Sequence, residues 1–124
     1  MNIALWIIAG LLSVAFLASG VTKLTQSRQK LAASGQGWAE DFSAGTVKGI
    51  GVLEVLAAVG LTVPAALDVA PVLVPLAAVG LVLLMAGAFI THTRRHEAQG
   101  MVVSLALLAL AAIIVWGRFG PQPF

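Results

Sequence analysis

Glu54 is the residue whose position says most about chemistry, because it is an acid within the long apolar stretch 49–67. If that stretch forms a helix that enters a membrane at Gly49, Glu54 lies about 7 Å below the surface, at about 1.5 Å per residue. A carboxylate at that depth must face the protein interior, pair with a cation or be protonated. The residues three and four positions away predict an interior face, because they are small: Gly51, Ala57 and Ala58.

Polar residues at the ends of other apolar stretches are expected at the same depth as Glu54. Lys23 follows the first stretch and His92 ends the third. We therefore expect a polar cluster at one end of a helical bundle, consisting of Ser19, Lys23, Lys48, Glu54 and His92, with Gln99 as a further candidate. In one interpretation the cluster binds a quinone or another headgroup, or relays protons between Glu54 and His92. In the other, Lys23 and Glu54 form an ion pair that only fixes helix packing.

The remaining motifs do not indicate a metal or a thiol site. His92 and His96 are spaced i and i+4, but two histidines supply too few ligands for a closed metal site. Arg94 and Arg95 add positive charge between them, so we expect no metal there. The chain has no cysteine, which excludes thiolate metal sites and cysteine-held iron–sulfur clusters. Redox chemistry would therefore need a bound cofactor or a partner protein.

The elements that position these residues follow from the composition, which is 60% apolar and only 10% charged. Soluble domains are usually about 45–50% apolar and about 25% charged. Four apolar stretches occur at about 3–21, 49–67, 72–91 and 101–117, and a helix needs about 20 residues to cross a bilayer. We predict an all-α integral membrane four-helix bundle, with residues 1–124 forming a single transmembrane domain surrounded by lipid.

An amphipathic connector is expected at about residues 24–48, lying on the membrane surface with Trp38 and Phe42 as apolar anchors. The first apolar stretch lacks a positively charged start, which predicts a retained helix rather than a cleaved signal peptide. The connectors 1–2 and 3–4 share a side and carry six of the seven Lys and Arg residues: Lys23, Arg28, Lys30, Lys48, Arg94 and Arg95. The positive-inside rule then predicts a bacterial cytoplasmic (inner) membrane protein with cytoplasmic connectors and both termini outside. Arg118, beside Trp116, is interpreted as an interfacial anchor on the outer side.

Four segments, 18–24, 37–67, 74–97 and 115–121, resemble the DoxX-like family of small bacterial four-helix membrane proteins. The pattern Gly51-x-x-Glu54, followed by Gly60-Leu61-x-x-Pro64, is similar to the second helix of that family. The family takes its name from a membrane subunit similar to part of a thiosulfate:quinone oxidoreductase. The resemblance implies an accessory subunit of a membrane redox or quinone-linked complex, with quinone as the cofactor to consider. It carries over no catalytic residue.

Two functions of other classes stay open. A small proton-coupled transporter would use Glu54 to exchange protons, although the similar-sized small multidrug resistance proteins place their glutamate in the first helix, which here has no acid. A structural or assembly protein would need no chemistry. The expected partners are the lipid bilayer, a membrane or peripheral redox protein and a second copy of the chain. Nucleic acid is excluded, because the net charge is only +2 and no basic stripe occurs.

Overall fold

The computed structural model describes residues 2–34 and 36–123, and this part of the chain is helical without strands. Four of its helices are long and apolar enough to cross a membrane, which confirms the all-α membrane bundle. In chain order the elements are α1 (Asn2–Thr25), α2 (Arg28–Ala33), a 3-10 helix (Gly37–Asp41), α3 (Ala44–Ala66), α4 (Leu73–Arg94) and α5 (Ala98–Phe119).

The long helices extend beyond the apolar stretches at the connector end, so the connector predicted at 24–48 is shorter than expected. α1 continues to Thr25, and α3 begins at Ala44, where Ser43 Oγ accepts a hydrogen bond from the Thr46 N–H at 3.1 Å. This cap satisfies a backbone donor that the helix itself leaves free. Apolar patterning marks where lipid begins, whereas capping decides where a helix begins. Several polar residues of the predicted cluster therefore lie on helices.

The four long helices form a closed antiparallel bundle in the order α1, α3, α4, α5. α1 packs mainly on α3 and α4 on α5, with fewer contacts between α3 and α4 and between α5 and α1. The core holds large apolar side chains from all four helices, including Leu12, Phe16, Leu61, Leu81 and Ile114. Other large apolar side chains point outward, such as Leu11, Leu56, Leu83 and Val102. An apolar exterior is stable because hydrocarbon chains replace water around it.

The connector between α1 and α3 folds back over one end of the bundle. α2 is capped by Ser27 and buries Leu31 against Ala39 of the 3-10 helix and Val47 of α3. Trp38 and Phe42 pack edge to face against this small core, with ring centroids 6.0 Å apart. The connector is therefore a packed cover. The end of the bundle that it covers is called the connector end.

At the opposite end, Arg118 joins the first and last helices. Its guanidinium donates to Asn2 Oδ1 at 2.7 Å and to the Gln122 carbonyl at 3.0 Å, and only 5% of the residue is exposed. A surface anchor would reach outward into the headgroup layer. The interfacial anchor stays a prediction for Arg118, whose side chain is buried, whereas its neighbour Trp116 is exposed.

α1 and α3 approach each other most closely at two glycines. A Cβ at Gly20 would lie 2.7 Å from the Gly51 carbonyl oxygen, and a Cβ at Gly51 would lie 2.9 Å from the Gly20 carbonyl oxygen. Small residues allow this approach, which is how helices associate in lipid. Gly45 and Gly49 have the same small size in a GxxxG spacing, but nothing lies within 4 Å of either position.

We predict that Gly51→Ala destabilises the bundle and that Gly49→Ala, two residues away on the same helix, does not. The added methyl group at Gly51 meets a backbone oxygen that cannot move alone, and such overpacking costs about 1–3 kcal/mol. Thermal unfolding in mild detergent, followed by circular dichroism, measures the difference. Equal melting temperatures for the two variants would contradict the proposed backbone contact.

Candidate functional site

A half-open cavity of about 520 Å³ lies between the helices at the connector end. All four long helices contribute to its wall, and the connector covers it with Gln36, Trp38 and Phe42. Its polar lining comes from six helical residues: Ser19, Lys23, Glu54, Thr91, His92 and Ser104. The rest of the wall is mostly apolar, with Phe16, Leu84, Met85, Ala88 and Leu107 among its residues. We call this space the connector-end cavity.

A buried ion pair forms the polar part of the cavity wall. Lys23 Nζ lies 2.6 Å from Glu54 Oε1 and donates a hydrogen bond to Ser19 Oγ, also at 2.6 Å. Lys23 is 7% exposed and Glu54 only 2%. Within the described residues, Glu54 Oε1 accepts no hydrogen bond of regular geometry, so the ionic contact with Lys23 balances its charge. Each charge is stable at this depth only because the other is present.

The close approach of α1 and α3 brings the two charges together. Lys23 follows Gly20 by three positions and Glu54 follows Gly51 by three, so each lies about one helical turn from the glycine contact. Lys23 Nζ also lies 5.4 Å from the centre of the Trp38 ring, within range of a cation–π interaction. The ammonium group is therefore held between a carboxylate, a hydroxyl and an aromatic face.

His92 lines the same cavity from α4. Its Nδ1 lies 2.8 Å from Glu97 Oε1, and its ring packs directly against Gly100, where any Cβ would overlap the imidazole. Since Glu97 engages Nδ1, Nε2 is the ring nitrogen that remains for a ligand. The hydrogen bond with His92, and the nearby Arg95 guanidinium, hold the pKa of Glu97 below its ordinary value of 4.5. Glu97 is therefore a carboxylate at neutral pH and fixes the imidazole.

A second ion pair fastens the cover over the cavity. Arg95, at the end of α4, donates to Asp41 Oδ2 at 2.9 Å, and its Nε lies 3.5 Å from Glu97 Oε2. Asp41 belongs to the 3-10 helix that carries Trp38. The connector is also held from its other side, where Arg28 donates to the Phe42 carbonyl at 2.7 Å. The cover thus depends on contacts from two separate connectors.

The structure brings together four of the residues that the sequence predicts for the cluster. Ser19, Lys23 and Glu54 contact one another directly, and His92 lies on another wall of the same cavity. Lys48 does not belong to it, because its ammonium donates to the Leu24 carbonyl at 3.0 Å on the surface. Lys48 precedes Glu54 by six residues, which turns its side chain about 120° away around the helix. Gln99 is exposed and also lies outside the cavity.

Sequence reasoning missed four polar or aromatic lining residues: Gln36, Trp38, Thr91 and Ser104. Ser104 is buried on α5. The sequence feature that could have identified it is its isolated hydroxyl group within the apolar stretch 101–117. Trp38 was recognised as a connector aromatic, but its place over Lys23 depends on how the connector folds back. No spacing along the chain encodes that return.

The arrangement can recognise a small polar headgroup attached to an apolar body. The Lys23 ammonium is a donor and Ser104 can donate or accept. Because the Glu97 carboxylate accepts from Nδ1, His92 Nε2 accepts in the neutral imidazole and donates only in the imidazolium form. The described residues contain no group of three or more His, Cys, Asp or Glu side chains that could hold a metal ion. The donors and acceptors of the cavity support binding and proton exchange.

We predict that Lys23→Met destabilises the protein strongly and that Lys23→Met combined with Glu54→Met costs much less. Removing one member of a buried pair leaves an uncompensated charge and costs about 3–5 kcal/mol, whereas replacing both can be nearly neutral. Unfolding of the single and double variants in detergent measures the coupling, with Lys48→Met as the matched control on an exposed lysine. Additive losses in the double variant would show that the two charges do not stabilise each other.

The sequence was finally compared with known proteins and families. No match was found among curated proteins or among solved structures. The profile of the DoxX-like family matches residues 7–114, which include all of α3 and α4 and most of α1 and α5. This match covers most of the chain and includes every polar residue that lines the cavity. On this ground the protein belongs to the DoxX-like family and is a membrane protein with four apolar helices.

Proposed function

We propose that this protein binds the headgroup of a membrane quinone in the connector-end cavity, as a subunit of a quinone-linked redox complex. The observation that carries the proposal is the combination of a buried ion pair and an imidazole with a mostly apolar cavity of about 520 Å³. Small-molecule sites are typically about 300–1,000 Å³, with apolar walls and few polar groups. A quinone has this same division between a polar ring and an apolar body.

The residues of the cavity have distinct roles in this proposal. The Lys23 ammonium donates a hydrogen bond to one carbonyl oxygen of the ring, while the ion pair with Glu54 and the hydrogen bond to Ser19 hold the ammonium in place. His92 Nε2 faces the second carbonyl oxygen, with Glu97 fixing the imidazole. Reduction of a quinone consumes two electrons and two protons, one proton at each oxygen. The imidazolium form of His92 would deliver one proton and water at the connector end the other, because Lys23 keeps its charge to balance Glu54.

A partner redox protein would supply the electrons. The chain has no cysteine, so it cannot pass electrons through a thiol–disulfide pair of its own. The connector end carries Arg94 and Lys30 on its exposed surface, close to the cover of the cavity. This is the side at which we propose that the partner binds.

We predict that the purified protein binds a p-benzoquinone with one isoprene unit and that Gly87→Leu weakens this binding by at least about tenfold. Gly87 lines the cavity and has nothing within 4 Å of its Cβ position, so a leucine fills the space without disturbing the helices. Loss of the space loses most of the contacts that the ring would make. Quenching of tryptophan fluorescence measures binding, and Trp38→Phe identifies the part of the signal that comes from the cavity.

Gly10→Leu is the matched control, because Gly10 has equally free surroundings but lies outside the cavity. Its affinity should equal that of the unmodified protein. The proposal is wrong if saturable quenching is absent at every quinone loading, or if Gly87→Leu binds as tightly as Gly10→Leu. Proton-coupled flux in liposomes that disappears in Glu54→Gln, without quinone binding, would instead identify a transporter.

We further propose a bacterial inner membrane location, with the connector end in the cytoplasm and both termini outside. The proposal is supported by charge: all Lys and Arg residues except Arg118 lie in or next to the two connectors of this end. Such residues are retained in the cytoplasm by the positive-inside rule. A redox partner would then bind from the cytoplasm.

We predict that Val69→Cys reacts with a membrane-impermeant thiol reagent in intact cells and that Ala33→Cys reacts only after permeabilisation. Val69 lies in the loop between α3 and α4, and Ala33 ends α2 in the connector, with both side chains exposed. Because the chain has no cysteine of its own, each variant gives a single signal. Labelling of Ala33→Cys alone in intact cells would reverse the orientation.

A further inference from the structure

A second apolar space lies on the outside of the bundle between α3 and α4. This groove has a volume of about 710 Å³ and is lined only by leucine, alanine and glycine residues. Its floor is made by small residues of both helices, Ala57, Gly60, Ala77 and Gly80, and its sides by leucines such as Leu53, Leu56, Leu73 and Leu76. We call it the α3–α4 groove. It faces lipid, since these four leucines are exposed.

The groove exists because α3 and α4 pack closely at only one level. A Cβ at Gly60 would lie 3.0 Å from Ala77 Cβ, so the helices touch there. Toward the connector end, Gly80 has nothing within 4 Å of its Cβ position. Space therefore opens beside Gly80, about one turn beyond the contact.

The groove adjoins the connector-end cavity. Leu83 and Leu84 of α4 line both spaces, so a ligand that passes over these two side chains can occupy both. Leu73 and Leu84 are eleven residues apart, which makes the groove about 16 Å long at about 1.5 Å per residue. A molecule with its polar end beside Lys23 could extend along this path toward the far end of the bundle without leaving apolar surroundings.

We infer that the α3–α4 groove binds the isoprenoid chain of the quinone whose ring occupies the connector-end cavity; the inference rests on the proposed function. The polar end of the path lies at the connector end, and its apolar part runs from the middle of α4 to Leu73 at the start of that helix. An isoprenoid chain carries a methyl branch on every fourth carbon. The open space beside Gly80, between leucines, suits such a branch better than it suits a straight acyl chain.

If the chain lies in the groove, the groove determines which isoprenoid chain length of the quinone the protein binds most tightly. The chain passes from the hydrocarbon of the bilayer to the hydrocarbon of the protein, so association gains little from the hydrophobic effect and depends on van der Waals packing. A modest preference is therefore expected. We expect the protein in lipid nanodiscs to bind a p-benzoquinone with four isoprene units about tenfold more tightly than one with a single unit, at equal mole fraction in the lipid.

Gly80→Leu tests the inference, because the leucine side chain would occupy the groove without a clash. The variant should lose the preference for the longer chain and keep its affinity for the quinone with one isoprene unit. Gly10→Leu, outside both spaces, should keep the preference. If Gly80→Leu fails to fold, Gly80→Ala adds one methyl group at the same place and should reduce the preference partly. Trp38-dependent quenching reports every affinity.

The outcomes separate this inference from the proposed function. If the protein binds the short quinone but shows no preference for the long one, or if Gly80→Leu retains the preference, the groove does not hold the chain and only the inference is overturned. A straight decyl chain that gains as much as the branched chain would likewise reject an isoprenoid site. If neither quinone binds to the unmodified protein, the proposed function is overturned and the inference with it.

Discussion

The contact between Lys23 and Glu54 can persist inside a lipid-embedded bundle only because two helix backbones touch beside it. A carboxylate or an ammonium group alone at that depth would be costly, and the pair is acceptable because the two atoms lie 2.6 Å apart. That distance requires α1 and α3 to approach closely, which Gly20 and Gly51 permit. The glycine contact and the ion pair therefore depend on each other. The position of every other wall of the cavity follows from this fixed pair of helices.

The other helices of the bundle do not all pack as closely as α1 and α3. α4 and α5 form a second tight pair, while α3 and α4 meet closely at Gly60 and Ala77 and then separate. The connector-end cavity and the α3–α4 groove are both consequences of this uneven packing. A bundle packed uniformly would have neither space. In lipid no hydrophobic force closes such gaps, so they can remain as places for an apolar ligand.

The cover of the cavity uses a different kind of interaction. Outside the membrane-spanning part of the bundle, Arg95 and Asp41 are partly exposed, and ion pairs of that kind contribute little to stability by themselves. Their value is positional, because they join the connector between α4 and α5 to the 3-10 helix that places Trp38 over Lys23. The site thus combines buried charges that are energetically demanding with exposed charges that orient its cover. Membership in the DoxX-like family places these features in a small membrane protein with four apolar helices.

The sequence by itself determined that lipid surrounds the protein, that the apolar stretches are helical and that Glu54 lies in the interior. An apolar fraction of 60% requires lipid, and the small residues around Glu54 mark the face on which another helix packs. The helix ends were predicted less well, because caps such as Ser43 and turns in polar segments decide them rather than hydropathy. Lys48 was assigned to the cluster from its depth, although its direction around the helix turns it away.

Only the tertiary structure decided what surrounds the ion pair. Trp38 reaches Lys23 because a connector returns over the bundle, and Ser104 reaches the cavity because α5 closes the ring of helices. The cavity and the α3–α4 groove depend on the separation between helix axes, a quantity that no single helix contains. Sequence patterns along one helix fix which face is buried, since that follows from its own periodicity. They cannot fix the space between faces, because that space is set by the simultaneous packing of four helices.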